Sequence, residues 1–268
     1  MDFLEFNVIE RIEGLLQGSD SLANLMPLQR RALNLREALE RVDDALFARL
    51  REGIREGRLR REGFRGMLAE YFGPDSNGYD RKVEVGYDSL DTFINGVLHQ
   101  GPIPAETKAR EAEMVYYQKT PARIVLEMAE KARLTEADIF YDLGSGLGQV
   151  PILIHLLSGA AAKGIEFEPA YCDYARACAA DLNLARVEFM HADARASDYS
   201  DGTVFFLYTP FEGGILATVL EKLRREARKR IRIFTYGPCT QQVSRQNWLL
   251  RTDDGGGEPH QLAGFESR

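Results

Sequence analysis

The sequence predicts an α/β protein: a mostly parallel sheet with helices between its strands, an antiparallel hairpin at its C-terminal end, and an N-terminal helical domain. Three observations carry this. Beyond Ala137, short apolar runs alternate with amphipathic stretches, the pattern of strands joined by right-handed helical crossovers. Before residue 110 apolar residues recur at helical spacing only. In "FYDLGSGLGQVPILIHLL", residues 140–157, three glycines at alternate positions stand between an expected strand and an expected helix. A length of 268 residues accommodates a helical domain over 1–110 and an α/β domain over 111–268.

Leu4, Val8, Ile9, Ile12, Leu15 and Leu16 mark a first helix that Gly18 would end. Leu35, Leu39, Val42, Leu46 and Leu50 form one stripe of a longer helix, suited to packing within a chain or between two copies of a homodimer. "GFRGMLAEYFG" (63–73) gives a short helix, broken at Gly73-Pro74. Turn residues fill 73–86, and "YDSLDTFINGVL" (87–98) is amphipathic again. From Thr107 to Leu134 the pattern is helical, interrupted at "YYQKTPA" (116–122), where Thr120 is an N-cap candidate and Pro121 fits a first turn. Strands are expected at 139–144, 162–167, 187–192, 203–209 and 231–237, with helices near 149–158, 169–184 and 213–229. "NWLLRT" and "HQLAGFES", on either side of a glycine-rich turn, complete the hairpin.

Composition narrows the function. The 44% hydrophobic and 28% charged residues are those of a globular protein, and no apolar run reaches membrane-spanning length. A net charge of −7 lacks the basic footprint of a nucleic-acid partner, and the runs "REGRLRREGFR" and "LRREARKRIR" read as solvated helix faces. "MDFLEFNVIERIEG" puts acids where a secretory signal has bases, so a cytoplasmic location is expected. Cys172, Cys178 and Cys239 lack metal-ligand spacing and read as free thiols, and no metal is expected. His155, on an apolar helix, reads as a core histidine; His191 is a packing residue or one turned toward the site.

The glycine turn carries the chemistry. Dinucleotide sites read G-x-G-x-x-G, whereas Gly144, Gly146 and Gly148 are spaced G-x-G-x-G, with Gln149 three places after the second glycine. Asp142, two places before Gly144, would repel a diphosphate but suits a cation. S-adenosylmethionine has an ammonium and a sulfonium, and no phosphate. Glu166, closing the next strand, is placed for ribose hydroxyls and is preferred over Glu168 because it ends the apolar run. Asp193, closing the third strand, is placed for an adenine amino group, with Ser145, Phe167 and Ala194 adjoining these acids.

"DLGSGLGQV", with the lead-in "YQKTPARIVLEMAEKARLTEADIFYDLGSG", resembles the non-SET lysine methyltransferases of the disruptor-of-telomeric-silencing (Dot) type over about residues 114–210. The resemblance implies a Rossmann-like class I methyltransferase sheet and S-adenosylmethionine as cofactor. It implies a loop over the methionine part carrying Tyr117 and Thr120, a first motif of Asp142, Gly144, Gly146 and Gln149, a ribose acid Glu166 and an adenine acid Asp193. Where that family has an N-N-F-A-F-like stretch, this chain has Tyr208-Thr209-Pro210-Phe211, and a basic nucleosome-binding extension is not evident. Both departures point away from a histone acceptor.

Tyr117, Tyr208, Phe211 and Tyr236 are expected at the mouth, around a methyl donor and an incoming amine. "YTPF" also lacks the amide or acid with which base-methylating enzymes hold a planar amino group. The sequence therefore points to a methyltransferase with an amine-bearing acceptor, on a protein or a small molecule. Two alternatives stand beside it: a small-molecule enzyme with the helical domain as lid, and a non-catalytic S-adenosylmethionine sensor or scaffold.

Overall fold

The computed structural model describes residues 22–73, 86–98, 101–227, 229–253 and 260–268, with side chains from residue 30 onward. The expected first helix, most of the 73–86 turns and the glycine-rich tip of the hairpin lie outside the described residues. Three helices come first: α1 (Leu22–Arg55), α2 (Glu62–Phe72) and α3 (Ser89–Leu98). After α4 (Ala122–Ala132) strands and helices alternate: β1 (Ile139–Leu143), α5 (Gln149–Ser158), β2 (Ala161–Glu166), α6 (Pro169–Asp181), β3 (Val187–His191). They continue with β4 (Val204–Leu207), α7 (Gly213–Glu226), β5 (Arg232–Thr235), α8 (Cys239–Ser244), β6 (Leu249–Arg251) and β7 (Ala263–Ser267).

One seven-stranded sheet results, ordered β3-β2-β1-β4-β5-β7-β6. β1 to β5 pair in parallel, and β7 inserts antiparallel between β5 and β6. This is the Rossmann-like methyltransferase sheet that the sequence predicts. The chain winds outward from β1 through β2 to β3, then returns to β4 on the other side. That reversal opens a crevice beyond the carboxyl ends of β1 and β4, where ligands of open α/β sheets bind.

Alternation along the strands divides the core. Phe140, Ala162, Val204 and Phe206 face one side, where α4, α5, α6 and the N-terminal helices pack. Tyr141, Leu143, Phe205 and Leu207 face the other, against α7 and α8. Leu50, Ile54, Phe64, Phe93 and Ile94 of the N-terminal helices join the first of these clusters. Arg55 fixes α1 to the end of α6 through both carboxylate oxygens of Asp181 (2.7 and 2.8 Å).

Three sequence expectations are corrected. Residues 107–115 are not helical: exposed and polar, they run as an extended strap whose partners lie on other elements. Thr120 does not cap α4; the buried carboxylate of Asp91 on α3 does so, accepting the Ala122 N–H at 2.7 Å. The helices expected at 169–184 and 213–229 stop at Asp181 and Glu226, and α8 appears where no helix is expected.

Phe206→Ala is expected to destabilise the protein by about 3–5 kcal/mol, because that ring is fully buried in the most enclosed strand. Leu250→Ala, at a side chain 45% exposed, should stay within about 0.5 kcal/mol of wild type. Urea denaturation measures both.

Candidate active site

The glycine turn follows β1 directly, and its amides are largely consumed by the protein. Gly144 and Ser145 both donate to the Ile165 carbonyl (2.9 and 3.0 Å), Gly146 donates to Glu166 Oε2 (2.7 Å), and Gly148 to the Ser145 carbonyl (2.9 Å). Such a turn has few N–H groups left to cradle a diphosphate. The glycines are required for a different reason. Gly144 and Gly146 have φ of +83° and +51°. A Cβ at Gly144 would lie 2.3 Å from Pro210, and one at Gly146 would lie 2.1 Å from the Tyr117 ring. Their bareness lets two walls of one cleft close on β1.

Two acids stand at the floor of that cleft. Asp142 is 3% exposed, and among the described residues its carboxylate has no hydrogen-bond or ion-pair partner. Burial, then the charge of Glu166, raise its pKa well above the carboxylate range. Glu166 is also pushed up by burial, opposed by the N–H groups of Glu168 and Gly146. Its Oε1 accepts from Glu168 at 2.8 Å and its Oε2 from Gly146, so each oxygen keeps a lone pair. Beside them Ser145 Oγ and Gln149 Oε1 are buried without a partner, while Gln149 Nε2 donates to the Thr120 carbonyl at 2.7 Å. Buried acceptors in such number, lacking donors, fit a ligand that brings N–H and O–H groups and positive charge.

The strap of residues 106–120 forms the opposite wall. Glu168 holds its start, accepting from Thr107 N (2.9 Å), Thr107 Oγ1 (2.6 Å) and Lys108 N (2.8 Å) while capping α6. Burial would raise the Glu168 pKa, but those donors prevail and lower it to about 2. Both acids line the cleft, but the oxygens of Glu168 are taken up by the strap and the start of α6, whereas those of Glu166 keep free lone pairs. Farther along, Met114 bridges to Phe211, Val115 donates to the Pro210 carbonyl, and Glu113 accepts the Ile215 N–H at 2.8 Å at the start of α7.

The predicted residues assemble with two exceptions. Those expected around the cofactor all line the cleft except Gly146, which lies beneath Tyr117. Of the expected mouth residues, Tyr117, Tyr208 and Phe211 line it. Tyr236 does not: it is 2% exposed behind Tyr208, with ring centroids 5.0 Å apart. Asp193 reaches the cleft but its carboxylate is already engaged, at 2.6 Å from Arg195 Nη2, whose guanidinium also holds Glu111. The hydrogen bond from Arg195 lowers the Asp193 pKa. His155 is a core histidine, its Nδ1 2.8 Å from the Ala160 carbonyl, and His191 is exposed. The three cysteines are buried, and none is in a disulfide.

Sequence reasoning missed Lys108, Tyr171 and Thr209. Lys108 Nζ sits 3.4 Å over the Phe167 ring, and Tyr171 packs on Tyr117 at 5.3 Å. Both depend on the path of the strap, which no local pattern announces. Thr209 has φ of +40°, rare for a branched residue, and its Oγ1 donates to the Tyr236 carbonyl (3.1 Å) and accepts the Cys239 N–H (3.2 Å). Its one sequence signal is the "YTPF" stretch itself.

The family model described as "Histone methylation protein DOT1" matches residues 109–206. No curated protein matches the chain. Among solved structures, an RNA methyltransferase from Salinibacter ruber in complex with S-adenosyl-L-homocysteine is 26% identical, with 56% of this chain covered, 92% of that one, and a TM-score of 0.46. A Pyrococcus abyssi tRNA (uracil-54, C5)-methyltransferase in complex with S-adenosyl-L-homocysteine is 20% identical (56% of this chain, 39% of that one, TM-score 0.42). A methyltransferase from Geobacter sulfurreducens, also with S-adenosyl-L-homocysteine, is 27% identical (47% and 54%, TM-score 0.37). Strand order and family match together give the α/β part a class I methyltransferase fold.

Asp142 sets a pH-dependent penalty. Its folded pKa lies above the ordinary value of about 3.9, so folding favours the protonated form. That contribution is whole below the unfolded pKa and is lost as pH rises through the folded one. Asp142→Asn, which stays neutral, is therefore expected to melt above the ligand-free wild type at pH 8, with the difference shrinking toward pH 4. Differential scanning calorimetry across that range checks it; a variant melting lower at pH 8 would contradict the uncompensated charge.

Proposed function

We propose that the protein is an S-adenosylmethionine-dependent methyltransferase whose acceptor is an amine. The observation that carries this is the buried, partnerless Asp142 beside Glu166, on a cleft whose glycine turn has already given its amides to the protein. A cationic nucleoside with hydroxyls and no phosphate answers each of those features. S-adenosylmethionine supplies a methyl group on a sulfonium, which a nucleophile takes by in-line displacement. Asp142 would hold the ammonium, with Ser145 and Gln149 as further acceptors, and Glu166 would take the ribose hydroxyls. Phe167, Asp193 and Ala194 would bound the adenine, and Tyr117 and Thr120 the methionine part.

The acceptor side supports an amine. Where the cleft is walled by Tyr208, Thr209, Pro210 and Phe211, with Val115, Tyr116 and Gln118 beside them, no carboxylate or imidazole stands among these residues. Tyr208 is pushed up to about 12 by burial, and Tyr117 is raised further by the same cause, so neither is a base near neutral pH. Oxygen and carbon acceptors call for a base, whereas an amine needs only to arrive deprotonated, which a desolvated aromatic mouth promotes. The chain's contribution is then positioning and exclusion of water.

Titration calorimetry is expected to show binding of S-adenosylhomocysteine and S-adenosylmethionine and none of nicotinamide dinucleotides. Affinity for S-adenosylmethionine should rise with pH as Asp142 ionises, and Glu166→Ala should weaken it by about 1–3 kcal/mol. Methyl-labelled cofactor incubated with cell extract then assigns the acceptor: acid-stable label on protein lysine supports the amine reading, and label in small metabolites selects a metabolite enzyme. Binding without transfer to either fraction selects a sensor.

A further inference from the structure

The backbone of the stretch that covers the turn, residues 117–122, takes two of its three side-chain hydrogen bonds from residues at the head of α3. Tyr117 lies over Gly146 and Thr120 lines the cleft, yet α4, which begins at Ala122, has no side-chain cap of its own. Besides the Tyr208 Oη–Gln118 Oε1 hydrogen bond (3.2 Å) and the Tyr117–Tyr171 ring contact, three side chains hold its backbone. Tyr87 Oη donates to the Lys119 carbonyl at 2.7 Å, Gln149 Nε2 to the Thr120 carbonyl at 2.7 Å, and Asp91 Oδ1 accepts from Ala122 N at 2.7 Å. Two of the three come from the start of α3.

Asp91 is built for the task. It is 3% exposed, and its other oxygen accepts the Asp88 N–H at 2.9 Å. Asp88 in turn accepts from Leu90 and Asp91 at 2.8 and 3.2 Å. This reciprocal cap fixes the Asp91 side chain on α3, leaving Oδ1 to close the first turn of a second helix. One carboxylate thus serves two helices, and a rigid α3, packed in the core through Phe93 and Ile94, transmits its position to the cleft wall. Asp91 and its bond to Ala122 are buried and neither oxygen of Asp91 is idle, so removal of the side chain leaves the Ala122 N–H without a substitute.

We infer that Asp91, with Tyr87 beside it, is a positioning residue for the methyl-donor cleft, through which the N-terminal helices set the placement of Tyr117 and Thr120. The inference rests on the reading of the cleft given above, but its physical part is independent of any ligand.

The test uses the full chain in four forms: wild type, Asp91→Ala, Tyr87→Phe and Ile94→Ala. Tyr87 is 57% exposed, so loss of its hydroxyl leaves folding intact, and Ile94→Ala destabilises the same helix while leaving the hydrogen bonds to 117–122 in place. Amide hydrogen exchange over residues 117–122 should quicken about tenfold in Asp91→Ala, the equivalent of one hydrogen bond, and to a smaller extent in Tyr87→Phe. Ile94→Ala should leave it at the wild-type rate once compared at equal distance below the melting temperature. S-adenosylhomocysteine affinity should fall about tenfold in Asp91→Ala and stay near wild type in Ile94→Ala. Exchange in both Asp91→Ala and Tyr87→Phe no faster than in Ile94→Ala would overturn the inference. If wild type fails to bind S-adenosylhomocysteine, the methyltransferase reading falls, while the exchange comparison still decides the positioning role.

Discussion

Two carboxylates share a buried corner of this molecule, and among the described residues only one of them is hydrogen-bonded. Asp142 and Glu166 close neighbouring parallel strands, β1 and β2, whose register sets Asp142 beside Gly164, two residues before Glu166. Water cannot solvate them fully, and among the described residues no arginine or lysine neutralises Asp142. Removing a charge from water without a partner is among the costliest acts in folding. A fold that retains it is poised for a cation from outside.

The surrounding structure keeps that corner both tight and accessible. The turn after β1 folds its amides inward onto Ile165 and Glu166, which locks Glu166 in place without exhausting it. Glycines at 144 and 146 let the loop after β4 and the ring of Tyr117 approach to contact distance. The strap is fastened by acids at intervals: Glu168 at its start, Glu111 through Arg195, and Glu113 at the head of α7. Each fastening is a carboxylate with donors, in contrast to Asp142. The sheet supplies rigid strand ends, and the strap supplies the cover.

The sheet was legible because strands buried on both faces read as unbroken apolar runs; "VFFL" at β4 is one. The acids at the strand ends were legible for a related reason, since a charge that ends an apolar run must face the edge of the sheet. What the sequence concealed was long-range. Residues 107–115 carry a helix-like spacing, but a helix needs a buried stripe to stabilise it, and this stretch finds its partners one residue at a time. The cap of α4 comes from Asp91, 31 residues away, so Thr120 was the reasonable local candidate. Tyr236 was expected at the mouth because it ends a strand there, yet Tyr208 stands in front of it. Asp193 was correctly placed at an edge, but its guanidinium partner two residues later was not anticipated.

Methyl-donor binding at this cleft requires the Asp142 carboxyl to be a charge waiting for a counter-charge. Carbon-13 NMR titration of its side chain, with and without saturating S-adenosylmethionine, measures that directly. The free protein should titrate above the ordinary carboxylate range, and the ligand should pull the midpoint down below it as the ammonium arrives. Superimposable curves in the two conditions, with the ligand bound in both, would mean that Asp142 does not meet the cation and that the cleft is read wrongly.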